Sequence, residues 1–103
     1  LSFVHEQLLK QYNKEIPYKV AISLEGIKEQ GTTVVFFVKI VCQKPGQKAI
    51  LIGKNGASIN LLKRNLAMQV RRELKQKVEF DIVVSVNENI EKLMLKNWKE
   101  ERI

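Results

Sequence analysis

The sequence has little of several residues that would define a class of protein by themselves. Among 103 residues there are one cysteine, one histidine and two prolines. The single cysteine, Cys42, excludes an internal disulfide, and we expect it to fill a small apolar space at the end of a strand. His5 has no sequence partner that would indicate catalysis or metal binding, so we expect it at the surface or at a helix cap. No apolar run approaches the ~20 residues of a membrane-spanning helix, so we expect no transmembrane segment.

Positive charge, in contrast, is abundant and unevenly distributed. Eighteen lysines and arginines stand against eleven acidic residues, which gives a net charge of +7. Ten of the basic residues and one acidic residue lie between Lys39 and Lys77, so this middle segment carries +9. The remainder, with eight basic and ten acidic residues, carries −2. This asymmetry predicts a polyanionic partner, with an ordinary solvated basic surface as the alternative.

The basic segment lacks the side-chain groups on which enzymes depend. It contains no His/Cys/Ser constellation and no pair of carboxylates. We therefore expect no catalytic residue, no metal site and no cofactor in this chain. Aromatic residues make up only 7% of the sequence, so we do not expect base stacking on aromatic rings to dominate any nucleic-acid contact.

Hydrophobic periodicity predicts seven elements in the order helix, strand, strand, helix, helix, strand, helix. Pro17 should end the first helix, and Glu29-Gln30-Gly31 should form the turn between the first two strands. The first strand is expected at a sheet edge, whereas the second is so apolar that both of its faces should be covered. The predicted ranges are 2–13, 18–27, 32–42, 47–52, 57–75, 78–86 and 89–103.

These elements carry apolar faces that can pack in two layers. Three strands offer one apolar face to the helices, which predicts a two-layer α+β sandwich. A helical crossover joins the second and third strands, so these two can lie parallel and make the sheet mixed. The residues expected to point inward are Val20, Ile22, Leu24, Ile50, Ile52, Ile59, Leu62, Leu66, Val70, Leu74, Val78, Phe80, Ile82, Val84 and Val86.

The stretch AILIGKNGASI, which begins at Ala49, holds two closely spaced glycines inside the basic segment. It does not fit the P-loop pattern, because Gly46 and Gly53 are seven residues apart and Lys54 is followed by Asn55. It does not fit the dinucleotide-binding fingerprint either, since G-x-G-x-x-G is incomplete. A tight turn between two helices remains, and a plain helix connection is its simplest interpretation.

The physical chemistry of this turn nevertheless favours a phosphate contact. Without side chains at Gly53 and Gly56, a sugar-phosphate backbone could approach the peptide closely. The N–H groups at the start of the following helix, and the positive end of its dipole, favour an anion. Lys54 and Asn55 would add a charge and a hydrogen-bond donor. This combination is typical of the backbone clamp of a KH domain, which holds about four nucleotides.

At this point the sequence resembles a known family. IGKNG followed by Ile59, inside the pattern α-β-β-α-α-β, is similar to a type II KH domain. More narrowly, EIPYKVAI after a leading helix, then ILIGKNGASI and RRELKQKVEFDIVVSV, resembles the C-terminal domain of Era-type GTPases. The resemblance covers about residues 4–86. It implies a type II KH domain at residues 1–86, and the predicted last helix would form a C-terminal extension at residues 87–103.

The resemblance also implies which residues contact RNA. The clamp falls on Gly53, Lys54, Asn55 and Gly56. Ser58 is also a possible helix cap. Ile50, Ile52 and Ile59 are expected mainly in the core, although one or two of them could line the groove in which bases rest. The basic side chains would contact phosphates or form a solvated helix face. The full set of candidate RNA-binding residues is Lys48, Ile52, Gly53, Lys54, Asn55, Gly56, Ser58, Ile59, Lys63 and Arg64.

In the Era-type family, this domain follows a GTPase domain and binds the 3′ end of small-subunit ribosomal RNA during ribosome maturation. The resemblance therefore implies single-stranded RNA and the small ribosomal subunit as partners, with no obligate oligomer. It implies a cytoplasmic location in bacteria, or the mitochondrial or plastid matrix in eukaryotes. Because the chain begins at Leu1 rather than a methionine, we expect a fragment or a processed product.

Two alternative functions stay open from the sequence. The chain could be a KH module of another parent, such as a ribosomal protein or a transcription elongation factor. It could also be a protein-interaction domain in which the two glycines only close a turn. We expect the extension, through Trp98, to pack against the domain body, with a preceding GTPase domain as the alternative receiving surface.

Overall fold

The computed structural model of the chain describes residues 2–13 and 15–89 and shows a three-stranded sheet with helices on one face. The strands are β1 (Val20–Gln30), β2 (Thr33–Cys42) and β3 (Lys77–Val86), in the order β1-β2-β3. β1 and β2 pair antiparallel, whereas β2 and β3 pair in parallel. The predicted mixed sheet is therefore confirmed, with the first strand at an edge.

Four helices and one 3-10 turn complete the described part of the chain. The helices are α1 (Ser2–Gln11), α2 (Glu15–Tyr18), α3 (Pro45–Ile52) and α4 (Ala57–Leu74), and the 3-10 turn spans Lys54–Gly56. The crossover from β2 to β3 thus consists of α3, the 3-10 turn and α4. Apart from the short α2, the order is α-β-β-α-α-β, so the predicted α+β class and the type II KH arrangement are confirmed.

The register of the parallel strands fixes where the junction of α3 and α4 lies. Thr33 pairs with Lys77 at one end of the sheet, and Cys42 pairs with Val86 at the other. α4 has 18 residues, about 27 Å of helix, and ends shortly before Lys77. It must therefore run from the Cys42 end of the sheet to the Thr33 end. The junction of α3 and α4 lies at the Cys42 end, opposite the β1–β2 turn.

The core lies between the helices and one face of the sheet. In β3 the buried residues alternate with exposed ones, as a strand covered on one face requires. Phe80 packs between two other rings. Its centroid is 5.0 Å from that of the stacked Phe36 and 6.2 Å from that of Phe3, which meets it edge-on. The predicted inward residues that are buried are Val20, Ile59, Leu62, Leu66, Val70, Val78, Phe80, Ile82 and Val84.

Three predicted inward residues of the strands and the long helix are exposed. Leu24 is exposed beside a β-bulge between Leu24 and Gly26, where the alternation of faces shifts by one residue. Val86 is the last residue of β3. Leu74 is exposed because successive four-residue steps on a helix rotate by about 40° each, which places it about 120° around the helix from Leu62.

The central strand β2 is covered on both faces, as predicted. Val35 and Val41 on one face and Val38 and Ile40 on the other are all buried. β1 extends to Gln30, so the hairpin turn is shorter and later than the predicted one at residues 29–31. The two neighbouring strands shield β2 even on the face that carries no helix.

The short helix α2 was not predicted, because Pro17 was expected to end helical structure. Pro17 lies in the first turn of α2, where a backbone N–H has no partner within the helix and its loss costs nothing. The side-chain oxygen of Asn13 accepts a hydrogen bond of 3.2 Å from the Glu15 N–H. His5 Nε2 lies 3.1 Å from the carbonyl oxygen of Pro17 near the end of α2, which agrees with the predicted capping role.

Two other sequence predictions concern the C-terminal end of β2 and the C-terminal end of the chain. Cys42 is buried at the end of β2 as expected, and its thiol donates to the carbonyl oxygen of Ser85 at 3.4 Å. The predicted C-terminal helix, with Trp98, lies outside the described residues beyond Asn89.

The helix α3 begins at Pro45 rather than at Gln47, where the sequence predicted it to begin. The side-chain oxygen of Gln47 accepts hydrogen bonds of 2.9 Å and 3.0 Å from the N–H groups of Gln43 and Lys44, which stabilises this helix start.

Candidate nucleic-acid interface

A tight turn at residues 53–56, here called the GKNG segment, joins α3 to α4. Gly53 ends α3: its N–H donates to the carbonyl oxygen of Ala49 at 2.8 Å. The 3-10 turn that follows is closed by a hydrogen bond of 3.1 Å from the Gly56 N–H to the Gly53 carbonyl oxygen. Gly56, with φ 76° and ψ 11°, is the N-cap residue of α4. The predicted tight turn between two helices is confirmed.

The two glycines of the segment are required for different reasons. A Cβ atom on Gly53 would lie 2.7 Å from Ser58 Cβ and 2.8 Å from the Ser58 backbone nitrogen, closer than real Cβ atoms approach. A Cβ atom on Gly56 would meet only Asn60 Nδ2, at 3.6 Å, so positive φ is the constraint there. Both glycines keep part of their surface exposed. A ligand chain can therefore reach the backbone at both positions.

The two residues between the glycines present a charge and an amide to solvent. Lys54 and Asn55 are both exposed. Asn55 has φ 55° and ψ 28°, a left-handed conformation that asparagine tolerates better than most residues. The first turn of α4 holds no acidic residue, so no side chain of that turn neutralises the positive end of the helix dipole. The GKNG segment thus combines a cation, donors and a helix N-terminus at one exposed place.

The C-terminal end of α1 contacts the chain on both sides of the GKNG segment. The Tyr12 hydroxyl donates to the Leu51 carbonyl oxygen at 2.7 Å, just before the segment. Gln11 Nε2 donates to the Ser58 carbonyl oxygen at 2.6 Å, just after it. Burial raises the pKa of Tyr12 to about 12, although a hydrogen bond from Gln11 partly opposes this rise. Sequence analysis missed both residues, since partners 47 and 39 positions away leave no local signal.

The prediction that Ser58 caps α4 is wrong. Gly56 occupies the N-cap position, and no side-chain hydrogen bond caps the helix there. Ser58 lies inside the helix, half-buried, with its side chain against Gly53. The left-handed Gly56 ends the turn two residues before Ser58, so the helix begins at Ala57 and Ser58 is its second residue.

The three isoleucines near the segment differ in burial. Ile59 is buried and Ile52 packs against the core while partly exposed, as predicted. The prediction that Ile50 is a core residue is wrong, because Leu51 takes the inward position on α3 and leaves Ile50 50% exposed. An exposed aliphatic side chain therefore lies on α3 shortly before the GKNG segment.

The basic candidate residues lie in three different surroundings. Arg64 is exposed, and Lys48 on α3 is half-buried. Burial raises the pKa of the Cys42 thiol, and the nearby charge of Lys48 opposes this rise. Lys63 is half-buried and lines an open groove of about 400 Å³ together with residues of all three strands, among them Glu79 and Asp81. The three basic candidates therefore differ in exposure, and Arg64 is the most accessible of them.

Within residues 2–13 and 15–89, no group of three or more His, Cys, Asp or Glu side chains is placed to hold a metal ion. In the same described ranges, no helix is both long enough and apolar enough to cross a membrane.

The α-β-β-α-α-β order, with a glycine-bounded turn between two helices at one end of a mixed sheet, defines a KH-type fold. A profile of the KH domain family matches residues 13–91. The chain therefore belongs to the KH domain family.

Its relatives include GTPases of the Era type. The chain is 33% identical over 100 residues to "GTPase ERA-like, chloroplastic" of Oryza sativa subsp. japonica, a match that covers 94% of this chain and 24% of the rice protein. It is 31% identical over 86 residues to GTPase Era of Pseudomonas fluorescens, covering 84% of this chain and 27% of that protein. The chain thus spans about a quarter of the length of these relatives.

Two solved Era structures share the fold. Both align with a TM-score of 0.76 and 22% identity over 82% of this chain and 29% of theirs. One is Aquifex aeolicus Era, bound to GDP and aluminium fluoride. The other is Era in complex with MgGDPNP and nucleotides 1506–1542 of 16S ribosomal RNA. The resemblance to the Era type, first indicated by the sequence motifs, is confirmed.

Proposed function

We propose that this chain is a single-stranded RNA-binding module in which the GKNG segment holds the sugar-phosphate backbone. The observation that carries the proposal is the geometry of Gly53. Its φ of 76° and ψ of 174° belong to a region that essentially only glycine adopts, and Ser58 leaves no room for a side chain. Gly53 also stays partly exposed beside Lys54, just before the start of α4, so a ligand backbone can approach its bare peptide closely.

In this proposal, phosphate is recognised by a charge and by hydrogen-bond donors that lie in the same solvent-exposed turn. Lys54 supplies a positive charge, and the Asn55 side chain supplies a hydrogen-bond donor. The N–H groups at the start of α4, strengthened by the helix dipole, complete the site. A KH domain clamps about four nucleotides in this way.

The remaining candidate residues have less direct roles in the proposal. Ile52 and Ser58 border the GKNG segment, and Ile59 supports it from the core. Lys48 and Arg64 add positive charge that attracts RNA over a distance. Lys63, which is half-buried on α4, adds charge of the same kind.

The relatives support a more specific form of the proposal. We propose that the module binds the 3′ end of small-subunit ribosomal RNA within an Era-like GTPase, and that it acts in assembly of the small ribosomal subunit. In this view the chain is the KH domain, residues 1–86, with a helical extension at 87–103. It has no catalytic activity, cofactor or obligate oligomer of its own. It acts in the bacterial cytoplasm, or in the plastid or mitochondrial matrix.

The proposal is tested by inverting the charge of the GKNG segment. Lys54→Asp with Asn55→Asp changes the charge by −3 at two exposed positions, and aspartate tolerates the backbone conformation of residue 55. We expect circular dichroism to be unchanged. The affinity for an RNA of 16S nucleotides 1506–1542 should fall roughly tenfold or more, since a charge-assisted contact is worth about 1.5–3 kcal/mol.

The matched control is Lys28→Glu with Thr32→Asp. It makes the same charge change at exposed positions beside the β1–β2 turn, at the opposite end of the sheet. We expect this variant to retain most of the affinity. Equal losses in both double variants would show that only net charge matters, and unchanged binding in the first would refute the clamp. Absence of RNA binding by the original chain would instead favour a protein-interaction domain.

A further inference from the structure

We infer that Tyr12 and Gln11, at the C-terminal end of α1, are positioning residues that hold the GKNG segment in its binding geometry. The structural part of this inference rests on contacts alone. Its consequence for RNA affinity rests on the proposed function.

The GKNG segment has little of its own to hold it in place. None of residues 54–56 is buried, so no side chain anchors the turn in the core. Its backbone is restrained by three hydrogen bonds, from the Gly53 N–H to Ala49, from the Gly56 N–H to Gly53 and from the Ala57 N–H to Lys54. Glycine also adopts more backbone conformations than any other residue when it is released. The conformation of the segment therefore depends on how firmly its two ends are fixed.

Tyr12 fixes the end before the segment by replacing a helix hydrogen bond. In a longer α3, the carbonyl oxygen of Leu51 would accept from the N–H of Asn55, but the helix ends at Ile52. Leu51 is fully buried, so water is a poor substitute partner. The Tyr12 hydroxyl instead donates to this carbonyl at 2.7 Å. Without it, a buried acceptor would lose its partner, and opening of the turn would relieve that cost.

Gln11 fixes the end after the segment. Its Nε2 donates to the Ser58 carbonyl oxygen at 2.6 Å, in the first turn of α4. Its Oε1 is buried and has no hydrogen-bond partner among the described residues. An orphaned buried oxygen lowers stability, so this side chain contributes less to the fold than its donor contact suggests. The donor contact nevertheless restrains the start of α4, and this restraint is the positioning role.

The two anchors bear on affinity through pre-organisation. If the binding-competent turn is populated only in part, the apparent Kd rises in inverse proportion to that population. Loss of an anchor should therefore weaken RNA binding although the anchor itself need not touch RNA.

The inference is tested with Tyr12→Phe and Gln11→Met, each of which keeps the size of the side chain and removes its donor. Amide hydrogen exchange by NMR is measured at Gly53 and Gly56, and at Val38 and Ile40 in β2. The matched controls are Tyr18→Phe, on an exposed tyrosine of α2, and Gln7→Met, one turn earlier on α1.

We expect exchange at Gly53 and Gly56 to become about threefold to tenfold faster in Tyr12→Phe, and less so in Gln11→Met, with no change in β2. The controls should match the original chain. RNA affinity should fall by a similar factor. Unchanged exchange at the two glycines would overturn the inference, and so would equal acceleration in β2, which would indicate a merely structural role.

The RNA measurements separate this inference from the proposed function. If the original chain binds RNA through Lys54 and Asn55 but Tyr12→Phe binds equally well, the positioning role is refuted while the function stands. If the original chain does not bind RNA but exchange at the glycines still rises, the function fails while the anchoring stands.

Discussion

Gly53 and Ser58 lie so close together that the first can carry no side chain. A Cβ atom on Gly53 would be 2.7 Å from the Ser58 Cβ and 2.8 Å from the Ser58 backbone nitrogen. The backbone nitrogen belongs to α4 and cannot move without shifting the helix start. The close approach of the end of α3 to the start of α4 therefore requires glycine at this position.

Alanine substitutions at the two glycines should have unequal costs. Gly56→Ala meets no clash and should lose about 1–2 kcal/mol of unfolding free energy from its left-handed backbone alone. Gly53→Ala should lose more, because it adds steric displacement of Ser58 to backbone strain. Urea unfolding of the two variants measures both costs. Equal losses would contradict the packing described for Gly53.

Phe80 should contribute far more to the free energy of unfolding than Val83, an exposed residue of the same strand. Phe80 is buried between the rings of Phe36 and Phe3. Phe80→Ala should cost about 3 kcal/mol or more of unfolding free energy. Val83→Ala, at a position that is 58% exposed, should cost no more than about 0.5 kcal/mol. Similar losses in both variants by urea unfolding would show that the aromatic stack is not part of the core.

Tyr12 should make the stability of the fold depend on pH in the alkaline range. Burial raises its pKa from 10.0 to about 12. The unfolded chain therefore releases the hydroxyl proton at a lower pH than the folded chain. The stabilising contribution is intact below about pH 10 and is lost as the pH rises through about 12. An ionised Tyr12 also cannot donate to Leu51.

The test compares urea unfolding at about pH 9 and about pH 11. The free energy of unfolding should fall more steeply with pH in the original chain than in Tyr12→Phe. Tyr18→Phe, which removes an exposed hydroxyl, should follow the original chain. An identical decline in all three proteins would mean that Tyr12 ionises equally in the folded and unfolded states.

The sequence predicted the parts of the fold that depend on long, regular patterns. The stripe from Ile59 to Val70 and the alternation in β3 each repeat several times, so α4 and β3 were predicted within one residue. The bulge beside Leu24 and the short α2 could not be predicted in this way. A bulge shifts the pattern by a single residue, and Pro17 favours a helix only when it falls in the first turn.

The candidate site was predictable to the extent that it is local. The spacing of Gly53 and Gly56 and the charge around them indicated the turn directly. In the sequence, Tyr12 and Gln11 are simply part of the first predicted helix, because their partners are brought to them by the packing of α1 against the rest of the fold. Long-range hydrogen bonds of this kind carry no periodic signal in one sequence.

The salt dependence of RNA binding tests the central claim most directly. If Lys54 and the neighbouring basic side chains neutralise three or four phosphates, log affinity against log salt should have a slope of about −2 to −3, at roughly 0.7 per contact for single strands. The measurement is a titration of the chain with single-stranded RNA at several salt concentrations. A slope in that range supports a backbone clamp in the basic segment. A slope near zero would contradict it, because RNA would then bind without releasing counterions from its phosphates.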